Sequence, residues 1–269
     1  GKSLSGQSLI DFLKGANKVI VGLEKFDSTI LDNLPNLKVI SKYGVGLNNI
    51  NLDELNKKNI RLSFRPGVNK VPVAELAMLL ILMSLRRVHL SMTNIKDGIW
   101  SQARGQELTN KTIGILGFGN IGNHLADFLK PYKCKILGFD IQQIERKEVI
   151  QSTAEEIFAD ADIVSIHLPL TDSSKGFIDK KLFEISKKDL KIINTSRGGI
   201  VNEEHLFNFL KNNEKAFAAF DVFEVEPAFD SPLLNLKNFF ATSHLGSMTE
   251  EGVIAMGLAA IEGLDENNK

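Results

Sequence analysis

Short runs of aliphatic and β-branched residues recur along this chain, each closed by polar turn residues and followed by a stretch with helical spacing. In the first seventy residues, Lys18-Val19-Ile20-Val21-Gly22, Leu37-Lys38-Val39-Ile40-Ser41 and Ile60-Arg61-Leu62-Ser63-Phe64 predict three strands. Helices are expected over Ser8 to Gly15, Ser28 to Leu34 and Leu52 to Lys58, the last capped near Asn51. Pro66-Gly67 then breaks the pattern. Val73 to Arg87 is apolar on nearly every face, which predicts a helix buried between two domains or two subunits. A linking helix through Lys96 ends at Gly98-Ile99-Trp100. From Thr112 the alternation becomes regular, with strands expected near 112–116, 135–139, 162–166, 191–195, 216–221 and 238–242. Six strands with helices between them predict a doubly wound parallel sheet. A last helix, Glu250 to Leu264, has an apolar stripe suited to packing back on the first domain. The expected fold class is therefore α/β with two domains: residues 1–90 with the C-terminal helix 248–269, and residues 91–247.

The turn after the strand Thr112 to Leu116 carries the first chemistry. It reads GFGNIG, with Gly117, Gly119 and Gly122 between a strand and a helix. Gly117 permits the tight turn, Gly119 lets backbone approach a pyrophosphate, and Gly122 lets the helix lie close on the sheet. The helix start directs free N–H groups and a positive dipole end at the phosphates. Asp140 closes the next strand, eighteen residues after Gly122, where its carboxylate can accept from an adenosine ribose and repel a 2′-phosphate. No basic residue follows until Arg146, so the expected cofactor is NAD rather than NADP.

Composition narrows the partners. The chain has 269 residues, 43% hydrophobic and 24% charged, with a net charge of −1. That balance argues against a nucleic-acid or anionic-membrane partner. Cys134 is the single cysteine, so no intrachain disulfide and no cysteine-based metal site is expected, and it reads as a packing residue. The longest apolar stretch, Val73 to Leu85, is too short to cross a bilayer. The amino terminus shows no signal pattern, and a reducing cytoplasm is expected. The asparagine- and lysine-rich runs Lys211-Asn212-Asn213 and Asn267-Asn268-Lys269 read as solvated surface.

In an open parallel sheet, ligands sit beyond the carboxyl ends of the strands. Those ends read Asn194-Thr195-Ser196-Arg197-Gly198-Gly199, Asp221-Val222-Phe223-Glu224-Val225-Glu226-Pro227 and Thr242-Ser243-His244-Leu245-Gly246. An arginine, an acid and a histidine thus converge on one crevice beside the expected nicotinamide. Reduction of a 2-oxo acid needs such a set. A guanidinium forks onto a carboxylate, histidine gives or takes a proton near neutrality, and a carboxylate keeps the imidazole protonated. The other histidines lack this context: His124 faces out of the cofactor helix, His89 lies in the linking helix and His205 starts a surface helix. His167, in His167-Leu168-Pro169-Leu170, is placed by the cofactor rather than in proton chemistry.

At these residues the chain resembles the D-isomer-specific 2-hydroxyacid dehydrogenases, the family that includes D-3-phosphoglycerate dehydrogenase. The resemblance runs from about Lys18 to the end, through KYGVGLNNI (42–50), VPVAE (71–75), GFGNIG (117–122), HLPLT (167–171), NTSRGGIV (194–201), DVFEVEP (221–227) and HLGS (244–247). It implies a Rossmann-type NAD domain and a smaller flavodoxin-like substrate domain, with the active site between them. Arg197 would bind the substrate carboxylate and His244 would be the general acid/base, with Glu226 rather than Glu224 as its partner. Gly117, Gly119, Asn120, Ile121 and Gly122 would lie under the pyrophosphate, Asp140 on the ribose, and His167 and Pro169 along the cofactor. Thr195 and Asp221 would hold the nicotinamide end, Asp221 through the carboxamide, Ser196 and Gly246 would also contact the cofactor, and backbone amides of Gly44, Val45 and Gly46 would close over the substrate carboxylate. A homodimer across the NAD domains is the family habit.

Family members open with a strand before the first helix, whereas this chain starts Gly1-Lys2-Ser3-Leu4 and stops at the last helix, where relatives continue. The substrate domain is therefore expected to lack its first strand and to show apolar surface and strand edges. The function expected is NAD-dependent interconversion of a 2-oxo acid and a D-2-hydroxy acid, best matched to 3-phosphoglycerate, with Lys42, Arg65 and Lys70 as candidate phosphate cations. Alternatives are a glyoxylate or hydroxypyruvate reductase, an NAD-sensing regulatory protein and, ranked lower, a formate-oxidising relative.

Overall fold

The computed structural model describes residues 4–265. The expectations for Gly1-Lys2-Ser3 and Asn267-Asn268-Lys269 lie outside the described residues. In chain order, the first elements are α1 (Gly6–Leu13), β1 (Lys18–Val21), α2 (Ser28–Asp32), β2 (Val39–Lys42), α3 (Leu52–Lys57) and β3 (Arg61–Ser63). Next come α4 (Lys70–Arg86), α5 (Val88–Lys96), β4 (Thr112–Leu116), α6 (Asn120–Leu129), β5 (Lys135–Phe139), β6 (Val149–Gln151) and α7 (Ala154–Asp160). The last are β7 (Ile163–Ile166), α8 (Lys180–Ile185), β8 (Lys191–Asn194), α9 (Glu203–Asn212), β9 (Phe217–Phe220), β10 (Phe239–Ala241) and α10 (Glu250–Glu262).

These elements form two compact units, 1–69 with 247–269, and 70–246. In the smaller unit β1, β2 and β3 form a parallel sheet in that order, with Val19 beside Ile40 and Ile40 beside Leu62. Side-chain caps start its short helices: Asp27 accepts from the Ile30 N–H and Asn51 from the Glu54 N–H. Leu9, Phe26, Leu31, Ile40 and Leu55 fill its core. The chain returns to this unit through α10, which Thr249 caps by accepting from the Gly252 N–H. Ser41 donates to the Ala260 carbonyl at 2.7 Å, and Gly263 lies so close to Ser41 and Ser63 that a Cβ would overlap their hydroxyls. The contact face of α10 is Met256, Ala259 and Ala260; Ile254, Leu258 and Ile261 face outward. Small residues allow the close approach, so the larger apolar residues of the expected stripe are not the ones buried.

The larger unit holds a parallel sheet of seven strands, ordered β10-β9-β8-β7-β4-β5-β6. Six of these match the expected runs. The seventh, β6, pairs with β5 at the sheet edge, Val149 beside Ile136. Its three residues, two of them exposed, lack the continuous apolar run of a central strand, so sequence pattern missed it. Helices cover both faces. Ile157, Phe158, Leu182, Phe183 and Leu206 pack on one side. Ala77, Leu80, Ile81, Leu125 and Leu129, from α4 and α6, pack on the other. Each such fully buried aliphatic or aromatic side chain contributes about 1.5–3 kcal/mol.

The helix α4 is buried against α6 and the strands β8 and β9, within this unit. The two units therefore divide at Asn69/Lys70, some twenty residues before the expected boundary at residue 90. A helix apolar on every face announces burial but does not say against what.

Candidate active site at the carboxyl ends of the larger sheet

The strand order reverses between β4 and β7, and the loops that leave the carboxyl ends there and beyond carry the expected residues. Gly117 follows β4 at φ +97°, and a Cβ on it would stand 2.7 Å from the His167 carbonyl oxygen. A Cβ on Gly122 would overlap the Gly117 carbonyl oxygen. At Gly119 nothing lies within 4 Å of that position. Two glycines thus close the turn, and the third leaves backbone open to a ligand. No side chain caps α6, whose N-cap is Gly119, so no capping side chain takes up the first-turn N–H groups at Asn120, Ile121 and Gly122, the groups that a helix start offers to an anion.

Asp140 accepts from the Phe118 N–H at 2.7 Å and from the Gln142 N–H at 2.9 Å, so it ties the glycine turn to the end of β5. Arg146, the first basic residue after it, is engaged elsewhere: it donates to Asp127 at 2.6 Å, Glu148 at 2.7 Å and the Asn123 carbonyl at 2.8 Å.

Arg197 sits on a loop that its neighbours hold. The buried Asn194, last residue of β8, donates to the Arg197 carbonyl at 3.0 Å and accepts from the Ser196 N–H and hydroxyl. A Cβ at Gly198 would overlap the backbone of Phe223, which fixes this loop beside the one after β9. That second loop carries Glu226, whose Oε1 accepts from the Phe223 N–H at 3.0 Å and whose Oε2 meets His244 Nδ1 at 2.9 Å. Asp221, buried at the end of β9, accepts from the Thr242 hydroxyl and from the N–H groups of Leu245 (2.6 Å) and Gly246 (2.8 Å). Its carboxylate gathers the His244 loop, where His244 itself takes a left-handed φ of 60° and donates its N–H to the Asp221 carbonyl at 2.9 Å. Such strain in a residue with a side chain persists only where its surroundings impose it.

The electrostatics follow this geometry. The hydrogen bond to Glu226 holds the His244 imidazole above its ordinary value of 6.5, against burial and the Arg197 charge. Burial pushes the Glu226 carboxyl up, but the bonds from His244 and the Phe223 N–H, with the charges of His244 and Arg197, carry it below 4.5. Burial lowers Arg197, and the Glu226 charge opposes that. His167 is different. Its Nε2 meets the Ser165 hydroxyl at 2.9 Å, its Nδ1 is sealed without a partner, and burial drags its pKa to about 4. It is therefore neutral at pH 7.

Thr195 Oγ1 is buried without a hydrogen-bond partner, next in the chain to the engaged Ser196. An open glycine turn, an uncapped helix start, a strand-end carboxylate and an orphaned hydroxyl are a donor and acceptor set that fits a dinucleotide. Pro169 is exposed on the loop after β7, and its carbonyl accepts from Ser174. Gly44, Val45 and Gly46 belong to the other unit, at the carboxyl end of β2, with Gly44 at φ +100°. Sequence reading passed over Asn194 and Asn123 as positioning residues. Asn123 donates to the carbonyls of Phe118 and Gly119 and braces the glycine turn. Only the asparagine at the very end of a buried strand could have signalled the first. Among the described residues, no group of His, Cys, Asp and Glu side chains could hold a metal ion, and no helix is long and apolar enough to cross a membrane.

Residues 78–246 match the sequence profile of the D-isomer specific 2-hydroxyacid dehydrogenase, NAD binding domain. The chain belongs to this family of NAD-dependent oxidoreductases. It is 34% identical over 250 residues to the hydroxypyruvate reductase of Thermotoga maritima, covering 91% of this chain and 82% of that protein. It is also 34% identical over 269 residues to the D-3-phosphoglycerate dehydrogenase of Methanocaldococcus jannaschii, covering 96% of this chain but only 51% of that protein. The chain spans about half the length of the phosphoglycerate dehydrogenases it matches. Among solved structures, the D-lactate dehydrogenase of Aquifex aeolicus complexed with NAD and lactic acid superposes with a TM-score of 0.88 at 25% identity, covering 94% of this chain and 83% of that one.

Proposed function

We propose that this protein interconverts a 2-oxo acid and a D-2-hydroxy acid, with Arg197 binding the substrate carboxylate and His244 as general acid/base. The observation that carries the reading is the 2.9 Å contact of His244 Nδ1 with Glu226, beside Arg197. With Nδ1 donating to Glu226, Nε2 is left for the substrate oxygen. In reduction the imidazolium gives its proton to the oxygen at C2, and in oxidation the imidazole takes it back. The raised pKa keeps that proton available near neutrality. Arg197 anchors the carboxylate and draws charge from the developing alkoxide. The glycine turn with Asn120 and Ile121 would hold the NAD pyrophosphate, and Asp140 the ribose. His167 and Pro169 would flank the cofactor, and Thr195, Ser196, Asp221 and Gly246 would support its nicotinamide end. Bound NAD(H) supplies the hydride chemistry. The amides of Gly44, Val45 and Gly46 complete the proposal as further carboxylate donors.

The substrate is the finer question. Of the three cations expected for a phosphate, Lys42 is buried and donates to Asn49 at 2.9 Å and to the Gly22 carbonyl, and Arg65 pairs with Glu262 at 2.6 Å. Lys70, the third, is exposed at the start of α4 and is the remaining candidate for a phosphate, so a 3-phosphoglycerate-type acid and a short acid such as hydroxypyruvate or glyoxylate are separated by turnover on each. A homodimer belongs to the same proposal. The helix α5 buries none of its residues, and Val88, Met92 and Ile95 on it, with Ile99 and Trp100 beyond, expose a contiguous apolar face. A reducing cytoplasm suits the free, half-buried Cys134, whose thiol pKa burial pushes up.

The test is NADH oxidation with phosphohydroxypyruvate, hydroxypyruvate, glyoxylate and pyruvate, in wild type and His244→Ala. Loss of an acid/base group costs about 10²–10⁴ in rate, so turnover should fall by that much in the variant. NADH binding without turnover on any acid would instead favour an NAD-sensing role.

A further inference from the structure

One peptide unit of the loop that carries Glu226 is held twice by the run that carries Arg197. The peptide that joins Phe223 to Glu224 packs so closely on Gly198 that a Cβ there would overlap the Phe223 carbonyl and the Glu224 nitrogen. The N–H of the same peptide, that of Glu224, donates to Glu203 Oε1 at 2.8 Å. The Phe223 N–H before it goes to Glu226 Oε1 at 3.0 Å, and Glu226 Oε2 meets His244 Nδ1 at 2.9 Å. Glu203 and Glu226 therefore accept from two successive N–H groups of one turn.

Glu203 reaches this peptide from a fixed base. It is the first residue of α9, whose N-cap Asn202 accepts from the His205 N–H at 2.9 Å and gives its own N–H to the Ile178 carbonyl at 2.9 Å. Leu206, Phe209 and Leu210 seat the helix in the core. A carboxylate at a helix start has an ordinary use, which is to answer the helix dipole. Glu204, the next residue, can serve that use from full exposure. Glu203 is instead drawn half out of water. Burial pushes its carboxyl up, the Glu224 N–H opposes this, and the Glu224 charge adds to it. The dipole alone does not ask for that desolvation. The hydrogen bond to the Glu226 loop does.

We propose that Glu203 is a positioning residue for the acid/base pair: by accepting from the Glu224 N–H it fixes the Phe223–Glu224 peptide against Gly198, and so holds the Glu226 carboxylate on His244 Nδ1. The inference rests on the reading of His244 and Glu226 as that pair. Without the Glu203 oxygen the Glu224 N–H turns to water, the peptide gains freedom to rotate, and Glu226 keeps its charge but loses its place. The other charges that bear on the His244 imidazole, Arg197 and Asp221, are untouched by this change.

The test is the titration of His244, read in two ways. Without substrate, NMR of histidine-labelled protein follows the ring signal, assigned by its loss in His244→Ala. With substrate, the alkaline limb of kcat/KM is followed for hydroxypyruvate, or for whichever of phosphohydroxypyruvate, glyoxylate and pyruvate turns over best. Glu203→Ala should move both to lower pH, in the same sense as Glu226→Gln. Beyond the limb kcat/KM should fall about threefold to tenfold, as for partial loss of a charge-assisted hydrogen bond. Glu203→Gln keeps an acceptor oxygen and should preserve the wild-type titration. Glu204→Ala removes the same charge from the same helical turn and should leave the titration in place. Added to Glu226→Gln, Glu203→Ala should move it no further. Equal NADH affinity across the variants shows that they are folded. An unmoved titration in Glu203→Ala, an equal shift in Glu203→Gln or Glu204→Ala, or an equal further shift in the Glu226→Gln background overturns the proposal. An unmoved titration in Glu226→Gln itself overturns the pairing beneath it, and the proposal falls with that pairing.

Discussion

At the scale of single residues, the pair His244 and Glu226 makes a pH prediction whose sign follows from the two shifts. His244 is raised above 6.5 and Glu226 lowered below 4.5. The ion pair is therefore fully formed between those ordinary values. The histidine's share of its stabilisation is lost as pH rises through the raised pKa, and the glutamate's as pH falls through the lowered one. Reduction needs the imidazolium, so kcat/KM for the 2-oxo acid should fall on the alkaline side of 6.5. In Glu226→Gln that alkaline limb should move to lower pH, and a pH–rate profile of both proteins checks it; an unmoved limb would separate Glu226 from the acid/base group. Asp140 makes a second prediction. Asp140→Ala removes a charged acceptor, so NADH should bind about ten to a hundredfold more weakly. Discrimination against NADPH should narrow, because no carboxylate then repels the 2′-phosphate, but not invert, because Arg146 stays bound to Asp127 and Glu148. Competitive fluorescence titration of the two cofactors reads both effects. These candidates were legible in the sequence because each residue stands at or beyond a strand end in a fixed order. Asn194 was not, since an asparagine names no partner until the Arg197 loop folds over it.

At the scale of elements, close backbone approaches decide where the functional loops lie. Gly198 brings the Arg197 loop onto Phe223, and Gly122 brings α6 onto the turn after β4. Neither glycine takes a positive φ, so sterics rather than backbone freedom demand it. Gly198→Ala should displace the loop that carries Arg197 and raise the KM for the 2-oxo acid at least tenfold, with little change in NADH affinity. Gly122→Ala should do the reverse and weaken NADH. Overpacking of this kind costs about 1–3 kcal/mol of stability, which thermal unfolding of each variant measures. The strands and most helices were foreseen because their apolar periods are local. The edge strand β6 was not, because three residues with none buried pair only when β5 is already in place. The contact face of α10 also escaped. Periodicity marked its large residues, while packing chose Ala259 and Ala260 for the closeness they allow.

At the scale of the whole molecule, the exposed apolar face of α5 and Trp100 predicts association of two copies. Met92→Asp with Ile95→Asp should shift the protein to monomers in analytical ultracentrifugation, since carboxylates there would be buried unpaired. An unchanged sedimentation coefficient would place any contact elsewhere. The sequence by itself determined the α/β class, the family, the cofactor turn and the order of arginine, acid and histidine on successive strand ends. All of these are written in local patterns and spacings. The tertiary structure alone decided that α4 belongs with the larger unit, that Lys42, Arg65 and Arg146 are engaged rather than waiting for a phosphate, and that Asp221 gathers the His244 loop. It also brought Glu203 onto the loop that carries Glu226. The reason is the same in each case: what a charged or apolar side chain does depends on which neighbour reaches it first, and those neighbours are far away in sequence.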